Sequence, residues 1–150
     1  MKNISIRNKR AFHNYHVLEK YEAGIALTGC EVKSIRQGKA NLQDSFARIV
    51  SGELWLFNCH INPFSEGNRY NEKPTRDRKL LMHRREINKL TGKVEQKGFL
   101  LIPISMYFSR NKLKVQIALC KSKKLHDKRR DLKEKAVKRD LEQKYTVKGI

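Results

Sequence analysis

Five histidines, three cysteines and a large excess of cations are the residues of this chain able to do chemistry, and only the cations form a pattern. His13, His16, His60, His83 and His126 show no metal-ligand spacing with Asp, Glu or Cys, and the His13/His16 pair lacks an HExxH context. Cys30, Cys59 and Cys120 stand singly, without a CxxC pair, which indicates neither a zinc ribbon nor a disulfide framework. No P-loop is present, and the glycines are scattered at turns and caps. No catalytic residue, metal or cofactor is therefore expected; carboxylates that meet only in space keep a general acid–base nuclease as the enzymatic alternative. What remains is 34 Lys and Arg against 15 Asp and Glu, a formal net charge of +19 on 150 residues. Such an excess suits a polyanion whose condensed counterions are released on binding. Structured RNA is the expected partner, and its binding should weaken steeply with salt.

The elements that must hold these cations can be read along the chain. Its length fits one compact domain with a tail, and 39% hydrophobic residues are enough for a folded body. No run of 18 apolar residues is present, and the start MKNISIRNKR lacks the apolar core of a signal peptide, so a cytoplasmic protein with no membrane partner is expected. YHVLEKYEAGIALT reads as one or two strands with a bend or bulge at Gly24. Thr28 and Glu31 have capping-box spacing, and the helix they open should end at Gly38, carrying Lys33 and Arg36. SFARIV and ELWLFNCHI flank Ser51–Gly52 as a hairpin. Residues 64–74 read as an exposed loop. From Thr75 the spacing of Leu80, Leu81, Ile87, Leu90 and Val94 predicts one or two amphipathic helices with a basic face that includes Arg76, Arg78 and Lys79. After Gly98, FLLIPISMYFS and KLKVQIALCK form two further strands around Arg110–Asn111, with Pro103 at an edge or bulge. The aromatics of the β runs, Phe46, Trp55, Phe57, Phe99, Tyr107 and Phe108, are expected in the core rather than as base-stacking platforms.

Together these elements predict a mainly β protein with short helices, an oligonucleotide-binding-type antiparallel β-barrel plus a flexible basic C-terminal tail. The barrel domain, with flanking helices, should span residues 1–120 and the tail 121–150. The tail holds 12 Lys and Arg against 5 Asp and Glu, leaving 22 against 10 in the body, so +7 and +12. Leu132, Ala136, Val137, Leu141 and Tyr145 recur at helical spacing, but an isolated helix of that length is marginal in water. The tail is expected to be disordered when free and helical against its partner.

Collinear motifs over nearly the whole chain carry a family resemblance. NKRAFHNY at 8–15, YEAGIALTGCEVKSIRQGKANLQDSFARI at 21–49, GNRYN at 67–71, PTRDRKLLMHRREINKL at 74–90 and KKLHDKRRDLKEK at 123–135 make the chain resemble the SmpB family of transfer-messenger-RNA-binding proteins. The resemblance implies a noncatalytic adaptor that binds the tRNA-like part of transfer-messenger RNA. It implies delivery to stalled ribosomes, with elongation factor Tu, for trans-translation. It also implies that the tail occupies the empty mRNA channel near the decoding centre. On the matching positions, RNA contacts would fall on Glu22, Lys33, Lys39, Asn41, Leu81 and Lys114. The three lysines would hold phosphates as point charges, and Asn41 would bond to sugar or base edges. Glu22 would accept hydrogen bonds from bases or 2′-hydroxyls, or orient a neighbouring cation; a strand-edge salt bridge is its alternative. Leu81 could touch RNA or pack in the core. In the tail, Lys123, Lys124, His126, Asp127, Lys128 and Arg129 match the ribosome-sensing segment, with His126 stacking on a base and Asp127 capping a helix. The chain departs from the family at Ser122, where Gly is usual. A permanent ribosomal protein is the structural rival.

Overall fold

The computed structural model describes residues 4–64 and 73–123, together with 129, 130, 132, 133, 135 and 136. The strand β1 (Ser5–Arg7) and the single-turn helix α1 (Ala11–Asn14) lead into the long β2 (Tyr15–Ile25). Helix α2 (Gly29–Arg36) follows, then β3 (Ala40–Asn41), β4 (Phe46–Val50), β5 (Glu53–Phe57), β6 (His60–Ile61) and β7 (Arg78–Leu81). Helix α3 (Arg84–Lys97) precedes the long β8 (Leu100–Ser109) and β9 (Lys112–Ser122). Local chemistry sets most of these boundaries. The Thr28 hydroxyl accepts from the Glu31 amide while the Glu31 carboxylate accepts from the Thr28 amide, so the full capping box opens α2. Gly98, at φ 63°, supplies the left-handed residue that ends α3. The two-residue turns Ser51–Gly52 and Arg110–Asn111 have positive φ at both positions, the twist that lets tight hairpins close.

Seven strands form one antiparallel sheet in the order β1-β8-β4-β5-β7-β2-β9, and β8 pairs back with β9. Six strands therefore close into a barrel, and β1 adds to β8 along Ser105–Tyr107. Strands β3 and β6 make a separate two-stranded sheet. Alternation places Leu54 and Leu56 of β5, Leu80 of β7, Ala23 of β2, and Leu113, Val115, Ile117 and Leu119 of β9 inside. Ile35 of α2 and Ile87 and Leu90 of α3 join that core. A smaller cluster, Ala11, Ile102, Ile104, Ala118 and Cys120, lies where α1 covers part of the β8–β9 pair. This is the mainly β barrel of oligonucleotide-binding type that the strand pattern predicts.

Two local expectations are corrected. Residues 78–81 form a strand rather than the start of a helix, because Arg78 and Leu80 alternate inward while Lys79 and Leu81 face out. Gly24 carries no bulge; the register shift in β2 falls between Val17 and Glu19. Of the two placements expected for Pro103, the bulge is the one found: the register of β8 shifts between Pro103 and Ser105, and the strand is not an edge, since β9 flanks it on one side and β4 and β1 on the other. The strand pairing of β9 runs to Ser122, past the expected boundary at residue 120, and the Lys123 amide donates to the Asn14 carbonyl. Beyond it, the described residues 129, 130, 132, 133, 135 and 136 are helical and exposed.

A buried ion pair joins α2 to the barrel. Arg78 is fully buried (0% exposed); its Nε donates to Glu31 Oε2 at 2.6 Å and its Nη2 lies 2.6 Å from the same oxygen. The other donors go to the carbonyls of Cys59 (2.6 Å), Arg76 (3.1 Å) and Pro74 (2.9 Å). Arg76 adds a second guanidinium on Glu31, at 2.5 and 3.2 Å. Burial pushes the Glu31 carboxyl up, but the Arg76 and Thr28 hydrogen bonds and the Arg78 charge outweigh it and hold the pKa below the ordinary 4.5.

Candidate RNA-binding surface

The register of three strands builds the most coherent cationic surface. Gly24 of β2 pairs with Leu81 of β7 on one side and Lys114 of β9 on the other, and Lys114 pairs with Tyr107 of β8. Residues directly opposite across antiparallel strands share a face, so Leu81, Gly24, Lys114 and Tyr107 form one outward row. Glu22, opposite Gln116, stands two residues along β2 on the same face. A Cβ on Gly24 would sit 3.3 Å from that of Leu81, tighter than ordinary packing, so the glycine keeps the middle of the row low.

The result is an open groove of about 950 Å³ whose lining includes Lys20, Glu22, Leu81, His83, Lys112 and Lys114. Val32 of α2 and Glu86 of α3 also border it. Leu81 is 52% exposed, so the core alternative for it is excluded. An apolar side chain standing out of a charged groove is suited to contact a sugar or a base face.

Glu22 makes no strand-edge salt bridge among the described contacts. Its Oε2 accepts from the Tyr107 hydroxyl at 2.5 Å. Burial and that hydrogen bond push the Tyr107 pKa to about 12, so the phenol stays a donor and fixes the carboxylate as an acceptor. An acceptor held in a basic groove selects RNA donors, base amino groups or 2′-hydroxyls, over phosphate oxygens. Tyr107, expected in the core, is a site residue that sequence reasoning missed. Its signal was the period of two in β8, which sets it beside Lys114.

The other three expected contacts lie apart from this groove. Lys33 is exposed on α2, its Nζ 5.4 Å from the Phe64 ring centroid. Lys39 is exposed just beyond the helix, where the Asn62 amide binds its carbonyl. Asn41 is exposed on β3, and its Oδ1 accepts from the Gln43 amide at 2.8 Å, which leaves its amide nitrogen to donate outward. The Arg36 guanidinium of α2 lies 4.7 Å from the centroid of the Phe108 ring, which lines the groove.

Lys123 is half-buried, its Nζ donating to the Phe12 carbonyl at 2.9 Å, and Arg129 is exposed. Lys124, His126, Asp127 and Lys128 lie outside the described residues, as does the GNRYN motif. Among the described residues, no three His, Cys, Asp or Glu gather as metal ligands, and no helix is long and apolar enough to cross a membrane. Burial lifts the Cys59 and Cys120 thiols to about 11, which keeps them unreactive.

Comparison with known proteins gives one consistent result. The family model described as "SmpB protein" matches residues 5–147. An SsrA-binding protein of Carboxydothermus hydrogenoformans is 54% identical over 142 residues, covering 95% of each chain. One from Desulforamulus reducens is 57% identical over 90% of this chain and 84% of its own. A solved structure described as "tmRNA-SmpB: a journey to the center of the bacterial ribosome" superposes with a TM-score of 0.68 at 50% identity. It covers 89% of this chain and 94% of the other.

Proposed function

The chain belongs to the SmpB family, and from that premise we propose that it is a noncatalytic adaptor that binds the tRNA-like part of transfer-messenger RNA and carries it to stalled ribosomes for trans-translation. The observation that carries this reading is the groove across β7, β2 and β9, where Leu81, Glu22 and Lys114 come together on one outward face. Lys114 would neutralise phosphate, Tyr107-held Glu22 would read donors, and Leu81 would pack on sugar or base. Lys33, Lys39 and Asn41 would extend the contact along α2 and the β3 edge. The body of the fold, residues 1–120, would hold the RNA, and the tail begins at residue 121.

The tail acts on the ribosome. Lys123, Lys124, His126, Asp127, Lys128 and Arg129 would follow the mRNA channel left empty beyond a truncated message, near the decoding centre. There a helix could form against ribosomal RNA, and elongation factor Tu would accompany the complex during delivery. The place of action is the cytoplasm.

Sequencing the RNA that copurifies from cells tests the reading directly: transfer-messenger RNA should dominate. Retention of the protein at one copy per resting ribosome after a high-salt wash would instead make it a permanent ribosomal component. Cleavage or mass change of a labelled tRNA-like RNA would make it an enzyme.

A further inference from the structure

The first residue past β9 is held by the first helix of the chain. Strand β9 ends with Ser122 opposite Tyr15, and the Lys123 amide then donates to the Asn14 carbonyl at 3.0 Å. The Lys123 side chain turns to the same element, its Nζ donating to the Phe12 carbonyl at 2.9 Å. Phe12 and Asn14 belong to α1, a single turn whose carbonyls all lie at a helix end and need donors from beyond the turn. The Tyr15 amide serves the Ala11 carbonyl, and Lys123 serves two of the others. A cation near a helix C-terminus bonds the last carbonyls well, so the ammonium suits the position it takes.

Helix α1 is a firm anchor despite its length. Ala11 is buried with Ile102, Ile104, Ala118 and Cys120, its amide donates to the Asn8 carbonyl at 3.3 Å, and the Arg10 carbonyl accepts from the His13 and Asn14 amides. The same helix also reaches the groove: Lys20, part of the groove lining, has its Nζ 5.6 Å from the Phe12 ring centroid. Strand β9 spans the remaining distance. From Lys114 in the groove to Ser122 at the strand end, paired strand at about 3.4 Å per residue covers about 27 Å. A paired strand with a tied end keeps the root of the tail at one place relative to bound RNA. An untied root would spread the tail over a wider volume and lower its effective concentration at any fixed target.

We propose that Lys123 is a positioning residue, which ties the root of the tail to α1 and so fixes the point from which the tail leaves the body relative to RNA in the groove. The inference deepens the function proposed above and rests on it, since a fixed root has a use only if groove and tail act in one complex. Lys123 sets where the path of the tail starts, and the residues after it follow the channel.

Amide hydrogen exchange on the full chain, read by NMR, separates this role from a direct ribosome contact. In Lys123→Met, which keeps the length of the side chain but has no donor, exchange at residue 123, corrected for its intrinsic rate, should accelerate about fivefold, the order of one lost hydrogen bond. Protection at Leu113, Val115 and Ile117 should not change, which shows that the barrel remains folded. Peptide tagging on ribosomes stalled on a truncated message should fall by a similar factor, while the dissociation constant for the tRNA-like RNA stays within about twofold. Lys123→Arg, whose guanidinium can reach the same carbonyl, should restore both the slow exchange and the tagging. Reduced tagging with unchanged exchange would make Lys123 a ribosome contact and overturn the assignment. Faster exchange with full tagging, or loss of tRNA-like RNA binding, would overturn it equally. Wild-type protein that fails to bind the tRNA-like RNA would overturn the proposed function itself, a separate outcome.

Discussion

Replacing Glu31 by Ala should remove a large part of the stability of this fold, although Glu31 is one carboxylate at the start of a short helix. The substitution leaves the Arg78 guanidinium 0% exposed with three backbone carbonyls but no counter-charge. Breaking a buried pair by removing one partner costs about 3–5 kcal/mol, and loss of the reciprocal half of the capping box adds about 0.5–1 kcal/mol. Against a total of about 5–15 kcal/mol and a urea slope of about 2 kcal/mol per molar, the midpoint should fall by about 2 M. Thr28→Val, which removes only the capping hydroxyl, should cost about 1 kcal/mol. The double variant Glu31→Ala/Arg78→Met takes both charges out of the interior and should recover much of the loss, since an apolar replacement of a buried pair is often neutral. Urea unfolding followed by circular dichroism reads all three. A midpoint shift under about 0.5 M for Glu31→Ala, or a double variant weaker than the single, would refute the account of Arg78 as a buried charge held by Glu31.

The same carboxylate should set part of the acid sensitivity. Its folded pKa lies below the unfolded value near 4.5, so its stabilisation is present above that value and lost as pH falls through the depressed folded pKa; Glu31→Gln should flatten the stability profile there. Lys114→Ala and Lys33→Ala should each reduce the salt slope of RNA binding by roughly one unit, measured by gel shift from low to moderate salt, and an unchanged slope removes that residue from the interface. Gly24→Val should raise the floor of the groove against Leu81 and weaken RNA binding at a stability cost of about 1–3 kcal/mol, so wild-type affinity in a folded variant would show that RNA does not enter there. Truncation after Lys123 should leave RNA affinity largely intact while abolishing peptide tagging in a translation assay; parallel loss of both would refute the division of labour.

Features with local causes were legible in the sequence. The Thr28/Glu31 box, the Ser51–Gly52 and Arg110–Asn111 turns and the stop at Gly98 each depend on a few adjacent residues, and each stands where the pattern places it. The strand 78–81 was not legible, because its inward position is occupied by an arginine. A polar residue in the pattern is normally assigned to solvent, and Arg78 becomes an interior residue only because Glu31, 47 positions earlier, meets it. Tyr107 and Trp55, both expected in the core, illustrate the other limit. Leu54 and Leu56 point into the core, so Trp55 and Phe57 of β5 face outward. Alternation states that neighbours face opposite ways, but which set faces inward depends on ring closure and on what α1, α2 and α3 cover. The motif residues carry both kinds of information: Asn8 and Ala11 are buried, Asn8 bonding the Leu42 and Pro103 carbonyls, whereas Glu22 and Lys114 face the groove.

Closure of the ring also governs time. Tyr15 pairs with Ser122, and β2 depends along its length on β9, so the barrel lacks a wall until the last strand is in place. The β8–β9 hairpin can form on its own within microseconds, but joining it to β2 must close a loop of about a hundred residues before any reward is gained. Topologies of that kind fold in milliseconds to seconds. During synthesis the apolar inner faces of β2, β4 and β5 therefore wait, unroofed, for residues 112–122, and the nascent chain is most exposed to aggregation just before its final strand emerges.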